Sequence, residues 1–317
     1  MATLARKAVI IKRPTRLEQL VARFNTRSQA KFYIESMGGN FVDYESEDDT
    51  YRRALEEVMR SAEENCRIHL IDWMQTSNFL FAPDDMVLTV GQDGLVVNTL
   101  KYLAGQPIIG FNSDPGRWDG SLAQFAPGDC RTIVAATLEG SASQKKITRA
   151  IVSLSDKQQL LAVNDFFVGV ANHSSARYML HYGDKEEQHS SSGVIVSTPL
   201  GRSGWLKSVV TGAQGIVNSI SSKAVKINPK GEGAWADNSL YFAVREPFPS
   251  VNTGTSMIFG RVNAEKGLRI ESKMGERGII FSDGMQSDFL NFNYSVTATF
   301  GISPEKGVVI VKTKPLS

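Results

Sequence analysis

Gly91-Gln92-Asp93-Gly94 stands between an apolar run at 86–90 and a helical pattern at 96–103. Two glycines around a polar pair let the backbone turn tightly and approach a ligand closely. The free N–H groups that open the following helix then favour phosphate. Asp93, at the tip of that turn, is placed to accept a proton from a substrate hydroxyl. The plainer alternative is an Asp that caps the helix.

Three further stretches carry polar residues in suggestive order. Gly110-Phe111-Asn112-Ser113-Asp114-Pro115 contains Asp114-Pro115, a turn-former with a fixed φ that reads as structural. Ala162-Val163-Asn164-Asp165 closes an apolar run with two residues that either open a turn or hydrogen-bond a ligand. Ser197-Thr198-Pro199-Leu200-Gly201-Arg202-Ser203-Gly204-Trp205 reads as a helix start capped by Ser or Thr, with Trp205 either a core aromatic or a flat wall. Cys66 and Cys130 show no CxxC spacing, and His69, His173, His181 and His189 show no metal-ligand spacing, so no protein-held metal site is expected. His69 reads as a core residue, and Arg245-Glu246-Pro247 as the end of a strand at a sheet edge.

The elements that must position these residues fall into two textures. Runs at 8–11, 68–71 and 86–90 read as buried strands; 17–23, 29–36, 48–65 and 96–103 read as helices. Gly38-Gly39-Asn40 ends a helix, and Phe41-Val42 reads as an extended piece. Strand and helix in alternation imply a parallel sheet. After about residue 125 short alternating runs dominate, at 131–138, 149–152, 160–163, 177–182, 194–197, 240–244, 268–271, 278–281, 294–300 and 308–312. A single helical stretch, 204–219, interrupts them, and 173–175 and 189–192 read as polar loops. The expected fold is an α/β N-terminal domain with a parallel sheet, residues 1–125, carrying the G-Q-D-G turn. A C-terminal β-sandwich-like domain, 126–317, carries the N-D and S-T-P-L-G motifs.

Composition bounds the function. Hydrophobic residues make up 42% of the 317 and charged residues 21%, with a formal charge of +2. That is ordinary for a globular protein and lacks the clustered basic excess of a nucleic-acid binder. No apolar run approaches the roughly 20 residues needed to span a bilayer. Arg6, Lys7, Lys12, Arg13, Arg16 and Arg23 suggest a transit peptide, but residues 8–11 read as a strand and Glu18 interrupts the basic series. The expected location is cytoplasmic, with no nucleic acid or membrane as partner.

Taken together the motifs resemble those of the NAD kinase family. Residues 90–95 resemble its G-G-D-G turn. Residues 110–115, through Gly120, resemble the G-x-N-T-D-P segment of mitochondrial-type and some bacterial members. Ala162-Val163-Asn164-Asp165 resembles A-L-N-E, and 197–205 resembles S-T-P-T-G-S-T-A-Y. The likeness runs from residue 87 to 205; the first 80 residues and the last 100 follow the family only in outline.

The resemblance implies ATP-dependent phosphorylation of the adenosine-ribose 2′-hydroxyl of NAD, giving NADP, with a divalent metal (Mg2+ or Mn2+) on the nucleotide. It implies Asp93 as general base. Gly91 and Gly94 would line the phosphates, with Gln92, in place of the family's second glycine, narrowing that approach or donating a hydrogen bond. Asn164 would bind the adenine side of NAD and Asp165 the ribose hydroxyls. Thr198, Ser203, Gly204 and Trp205 belong to the nucleotide-binding loop, Trp205 replacing a Tyr in the adenine wall. A homodimer or tetramer is the family expectation. Gln92, Ser192 (where most members have Asp), Leu200 and Arg202 depart from the pattern. They keep open a kinase for another hydroxyl, such as a sugar or nucleoside, and a non-catalytic NAD(P)-binding sensor.

Overall fold

Ala8, Val9, Ile10 and Ile11 are all fully buried in strand β1 (Lys7–Lys12), as a β-branched run in a parallel sheet should be. The computed structural model describes residues 6–221 and 235–313. Helix α1 (Arg16–Phe24) starts at a capping box: the Thr15 hydroxyl accepts from Glu18 N, and the Glu18 carboxylate accepts from Thr15 N. Helix α2 (Arg27–Ser36) is capped by Thr26. Residues 41–42, expected to be extended, instead open helix α3 (Phe41–Glu63), because the Asn40 side chain accepts from Val42 N. Phe41 thereby gains a buried place among Leu17, Ala30 and Ile34.

Strand β2 (Arg67–Asp72) forms as expected but at the sheet edge, so His69 and Leu70 are exposed rather than buried. Strand β3 (Met86–Gly91) is buried along its whole length. Burial of each large apolar side chain there contributes about 1.5–3 kcal/mol, so the strand that aims the glycine turn is firmly held. Helix α4 (Asp93–Leu100), strand β4 (Pro107–Asn112), helix α5 (Cys130–Leu138) and strand β5 (Gln144–Ile147) follow. The expected strand at 131–138 is thus a helix. Its buried residues Cys130, Val134 and Thr137 recur at helical spacing.

The next strands are β6 (Ala150–Leu154), β7 (Gln159–Ala162), β8 (Asp165–Val170), β9 (Ala176–Tyr182), β10 (Lys185–Ser191) and β11 (Val194–Ser197). Helix α6 (Trp205–Ile220) comes next, then β12 (Leu240–Val244), β13 (Phe259–Val262), β14 (Leu268–Ser272), β15 (Gly278–Ser282), β16 (Met285–Asn291) and β17 (Thr297–Ile302). They form two antiparallel sheets, ordered β10-β9-β14-β17-β6-β7 and β13-β12-β11-β8-β15-β16. The sheets share one core, in which Phe166 meets Phe300 and Tyr182 meets Phe242, at ring separations of 5.8 and 5.0 Å. Residues 189–192, read as a loop, are largely the end of β10. This strand is too polar to announce itself, yet it pairs with β9 along its length and turns a fully buried His189 inward.

The last strand, β18 (Gly307–Ile310), joins the first sheet, whose order is β2-β1-β3-β4-β18-β5 with β1 to β4 and β18 parallel. The chain therefore divides into one unit of Met1–Lys145 with Gly307–Ser317 and a second of Lys146–Lys306, rather than at 125/126. Helix α5 and the returning strand account for the difference. No helix among the described residues is long and apolar enough to cross a membrane.

Candidate nucleotide site

In the first unit the chain order reverses between β1 and β3, since β1 is followed outward by β2 and β3 is followed the other way by β4. Ligands of open α/β sheets bind in the crevice beyond the carboxyl ends of strands at such a switch point. A cavity of about 240 Å3 lies there, lined by residues at or beyond the ends of all three strands: Arg13 to Arg16 after β1, Gly91 and Gln92 at the end of β3, and Ser113, Asp114 and Trp118 after β4.

The glycine turn has the geometry its residues require. Gly91 has φ +147°, which L side chains rarely adopt. Gln92 occupies the N-cap of α4, but its side chain makes no capping hydrogen bond. Gly94 is exposed, and a Cβ there would meet no atom within 4 Å, so nothing in the protein's own packing demands a glycine.

Asp93 does not hang free at the tip of the turn. It is the first residue of α4, and its carboxylate accepts three backbone N–H bonds, Leu122 and Ala123 to Oδ1 at 3.0 and 2.8 Å and Ser121 to Oδ2 at 3.0 Å. A carboxylate has about four acceptor sites, so one remains. The G-x-N-S-D-P segment builds the loop that Asp93 holds. A Cβ at Gly110 would sit 2.7 Å from Ala123 Cα, so glycine lets the loop lie on β4. Asn112 accepts from Asp114 N and donates to Trp118 O. Arg117 pairs with Asp43 of α3 at 2.7 Å.

The second unit brings the other motifs into contact. The N–H groups of Val163, Asn164 and Asp165 all donate to the Asp283 carboxylate, with Asn164 N the shortest at 2.6 Å. Asp283 sits in a left-handed turn with Gly284, at φ +53° and +73°. Thr198 N donates to Asn164 O at 2.8 Å, and the Thr198 hydroxyl donates to Val163 O at 2.6 Å while accepting from Gly201 N. Thr198 is therefore consumed in joining the two loops rather than left open to a nucleotide. Gly201 packs so closely on Asn164 that a Cβ would overlap the Asn164 carbonyl.

Asp165 is 7% exposed, and its carboxyl is pushed up to about 7 by burial first and the Asp283 charge second. No cation or hydrogen-bond donor is among the influences that would offset that burial. Ser203 and Gly204 are exposed beside Trp205, the Ser203 hydroxyl donating to Leu200 O. Trp205 stacks on Phe167 at 5.7 Å and 10°, and the Arg245 guanidinium lies over both rings. Gly193 has φ +107°, and its Cβ would strike Val168 O and the Phe167 ring, so the Ser192-Gly193 turn needs its glycine.

Asp283 and Arg245 escaped the sequence reading, which took Arg245 for a strand end and gave Asp283 no functional role. Their partners lie far off in the chain, so no local spacing marks them.

A doubly wound first unit with a switch-point cavity and a second unit that is an antiparallel sandwich carrying an Asn-Asp turn define an α/β-plus-β fold. The protein's fold is that of the NAD kinases. It is similar to an NAD kinase from Archaeoglobus fulgidus, solved in complex with ATP, at 18% identity over 96% of this chain and 93% of that one, with a TM-score of 0.54. It is also similar to yeast NADH kinase, solved with NADH, at 13% identity over 98% of this chain and 85% of that one, with a TM-score of 0.62. No family model matches the sequence, and no curated protein matches it.

Proposed function

We propose that this protein is an ATP-dependent NAD kinase. The observation that carries the reading is the buried Asp165 carboxyl, lacking a donor, where the Asn164-Asp165 turn meets the 198–205 loop in a chain with this fold. Ribose hydroxyls supply the missing donors. Asn164 and the exposed Ser203-Gly204-Trp205 edge take the adenine side, and Thr198 positions that edge rather than touching the ligand. The glycine turn and the first N–H groups of α4 cradle the phosphates of ATP. Asp93 uses its remaining acceptor site to take the proton of the 2′-hydroxyl.

Phosphoryl transfer depends on positioning and charge neutralisation. A divalent metal bound to ATP supplies part of the latter. Among the described residues no group of three or more His, Cys, Asp or Glu is placed to hold a metal, so the phosphates would provide most of its ligands. Incubation with ATP, Mg2+ and NAD is expected to give NADP in an NADP-specific assay.

The three N–H bonds on Asp93 favour one competing reading, a non-catalytic NAD(P) sensor. Tight NAD binding without NADP formation under Mg2+ or Mn2+ would establish it. Phosphorylation of other hydroxyl compounds, with NAD untouched, would instead identify a different kinase.

Asp165 gives the reading a pH signature. Its folded-state value lies above the usual carboxylate range. Its contribution to stability is therefore full below about pH 4 and is lost as pH rises through about 7. Asp165→Asn is expected to melt higher than wild type at pH 8 but not at pH 4. Hydroxyl donors favour the ionised carboxylate, so NAD affinity should rise between pH 6 and 8 in wild type and stay flat in the variant. A flat wild-type profile would remove Asp165 from the ribose site.

A further inference from the structure

Trp118 has no role in the reading given so far. It lines the switch-point cavity, and 38% of it remains exposed. Its backbone is fixed on both sides: Asn112 Nδ2 donates to Trp118 O at 2.8 Å, and Trp118 N donates to Asp114 O at 3.1 Å. The neighbouring Arg117 anchors the turn to Asp43 of α3. The indole is thus a large flat surface on a rigid turn, half open to a cavity that also contains the glycine turn.

Arg13 lines the same cavity from the carboxyl end of β1. Arg16 and Arg117 are paired with Asp43, but the Arg13 side chain forms no ion pair among the described residues and is exposed. Its backbone is held in place, since Arg13 N donates to the Tyr51 hydroxyl at 2.9 Å. A flat aromatic face, an uncommitted guanidinium and an uncapped helix start around one cavity match the three parts of a nucleoside triphosphate.

We infer that Trp118 is the stacking platform for the base of the phosphoryl donor, and that Arg13 binds the donor's phosphates beside the start of α4. This rests on the kinase reading and deepens it. It commits the donor to a nucleoside triphosphate, because inorganic polyphosphate has nothing to place on an indole.

The test is calorimetric titration of the full chain with ATP and, separately, with inorganic tripolyphosphate, each with Mg2+ at fixed ionic strength. Wild type is expected to bind ATP about 5- to 150-fold more tightly than tripolyphosphate, the range for one base stacked on an aromatic ring. Trp118→Ala should abolish that preference, and Trp118→Phe should keep most of it. Arg13→Ala should weaken both ligands by a similar factor, since its contact is with phosphate alone. If Trp118→Ala keeps the preference for ATP, or Arg13→Ala binds both ligands as wild type does, the inference is overturned. Wild type binding neither ligand would overturn the kinase reading itself.

Discussion

Asp93→Asn is expected to lower kcat for NADP formation by about 10²- to 10⁴-fold, the usual worth of a general base. The substitution has to be separated from a structural effect, because Asp93 also anchors the 121–123 loop. An asparagine can keep its carbonyl oxygen where Oδ1 stands, accepting from Leu122 and Ala123, and loses only the Ser121 bond at Oδ2. Losing one charge-assisted hydrogen bond costs about 1.5–3 kcal/mol. That should appear as a Tm lowered by several degrees in a chain of this size, with ATP and NAD affinities close to wild type. Asp93→Ala removes all three bonds and is expected to loosen the loop as well. A folded asparagine variant that turns over within about tenfold of wild type, short of the range for a lost general base, would leave Asp93 as an anchor and nothing more.

Gly201→Ala is expected to be among the most damaging single methyl additions in the second unit. The added Cβ overlaps the Asn164 carbonyl, a backbone atom that cannot swing aside. The 163–165 turn and the 198–201 loop must separate, which strains the Thr198 bonds to Asn164 O and Val163 O. Overpacking together with lost buried hydrogen bonds amounts to about 3 kcal/mol or more. NAD affinity is expected to fall by at least about tenfold, since 1.4 kcal/mol of misplacement suffices for that. Gly212→Ala in α6 is the control: its Cβ meets nothing within 4 Å, and it should stabilise by up to about 1 kcal/mol. Urea denaturation and NAD titration of the two variants decide the matter, and equal behaviour would show that the loops are not locked together at this point.

The legible parts of the molecule were those with strong local periodicity. β1, β3, β9 and β11 are apolar or alternating runs, and α1 and α2 show helical spacing, so composition and pattern agree with the fold there. Residues 131–138 did not yield, because a β-branched stretch suits either state until Val134 and Thr137 find their buried face. Phe41 was misread because a capping asparagine and a turn asparagine look alike in sequence. β10 was missed because its backbone ladder with β9, not an apolar face, makes it a strand.

Of the site, the glycine turn and the Asn164-Asp165 pair were visible as motifs. Their supports were not. The donors to Asp93 lie 28 to 30 positions away, and Asp283 reaches 118 to 120 positions back to its turn. Only folding brings such partners within reach. Trp118 did carry a signal, a lone Trp in the polar Gly116-Arg117-Trp118-Asp119-Gly120 turn, which a search for stacking surfaces would have caught.

The position of β18 has a consequence for how the chain is made. Its partner β4 is synthesised about 200 residues earlier, so the pairing is among the least local in the protein. Until residues 307–310 have been translated, the nascent parallel sheet carries an open edge at β4, a surface prone to pair with the wrong strand. The β4 edge is covered only once β18 itself has emerged from the ribosome, whereas every residue lining the switch-point cavity has been made by position 118.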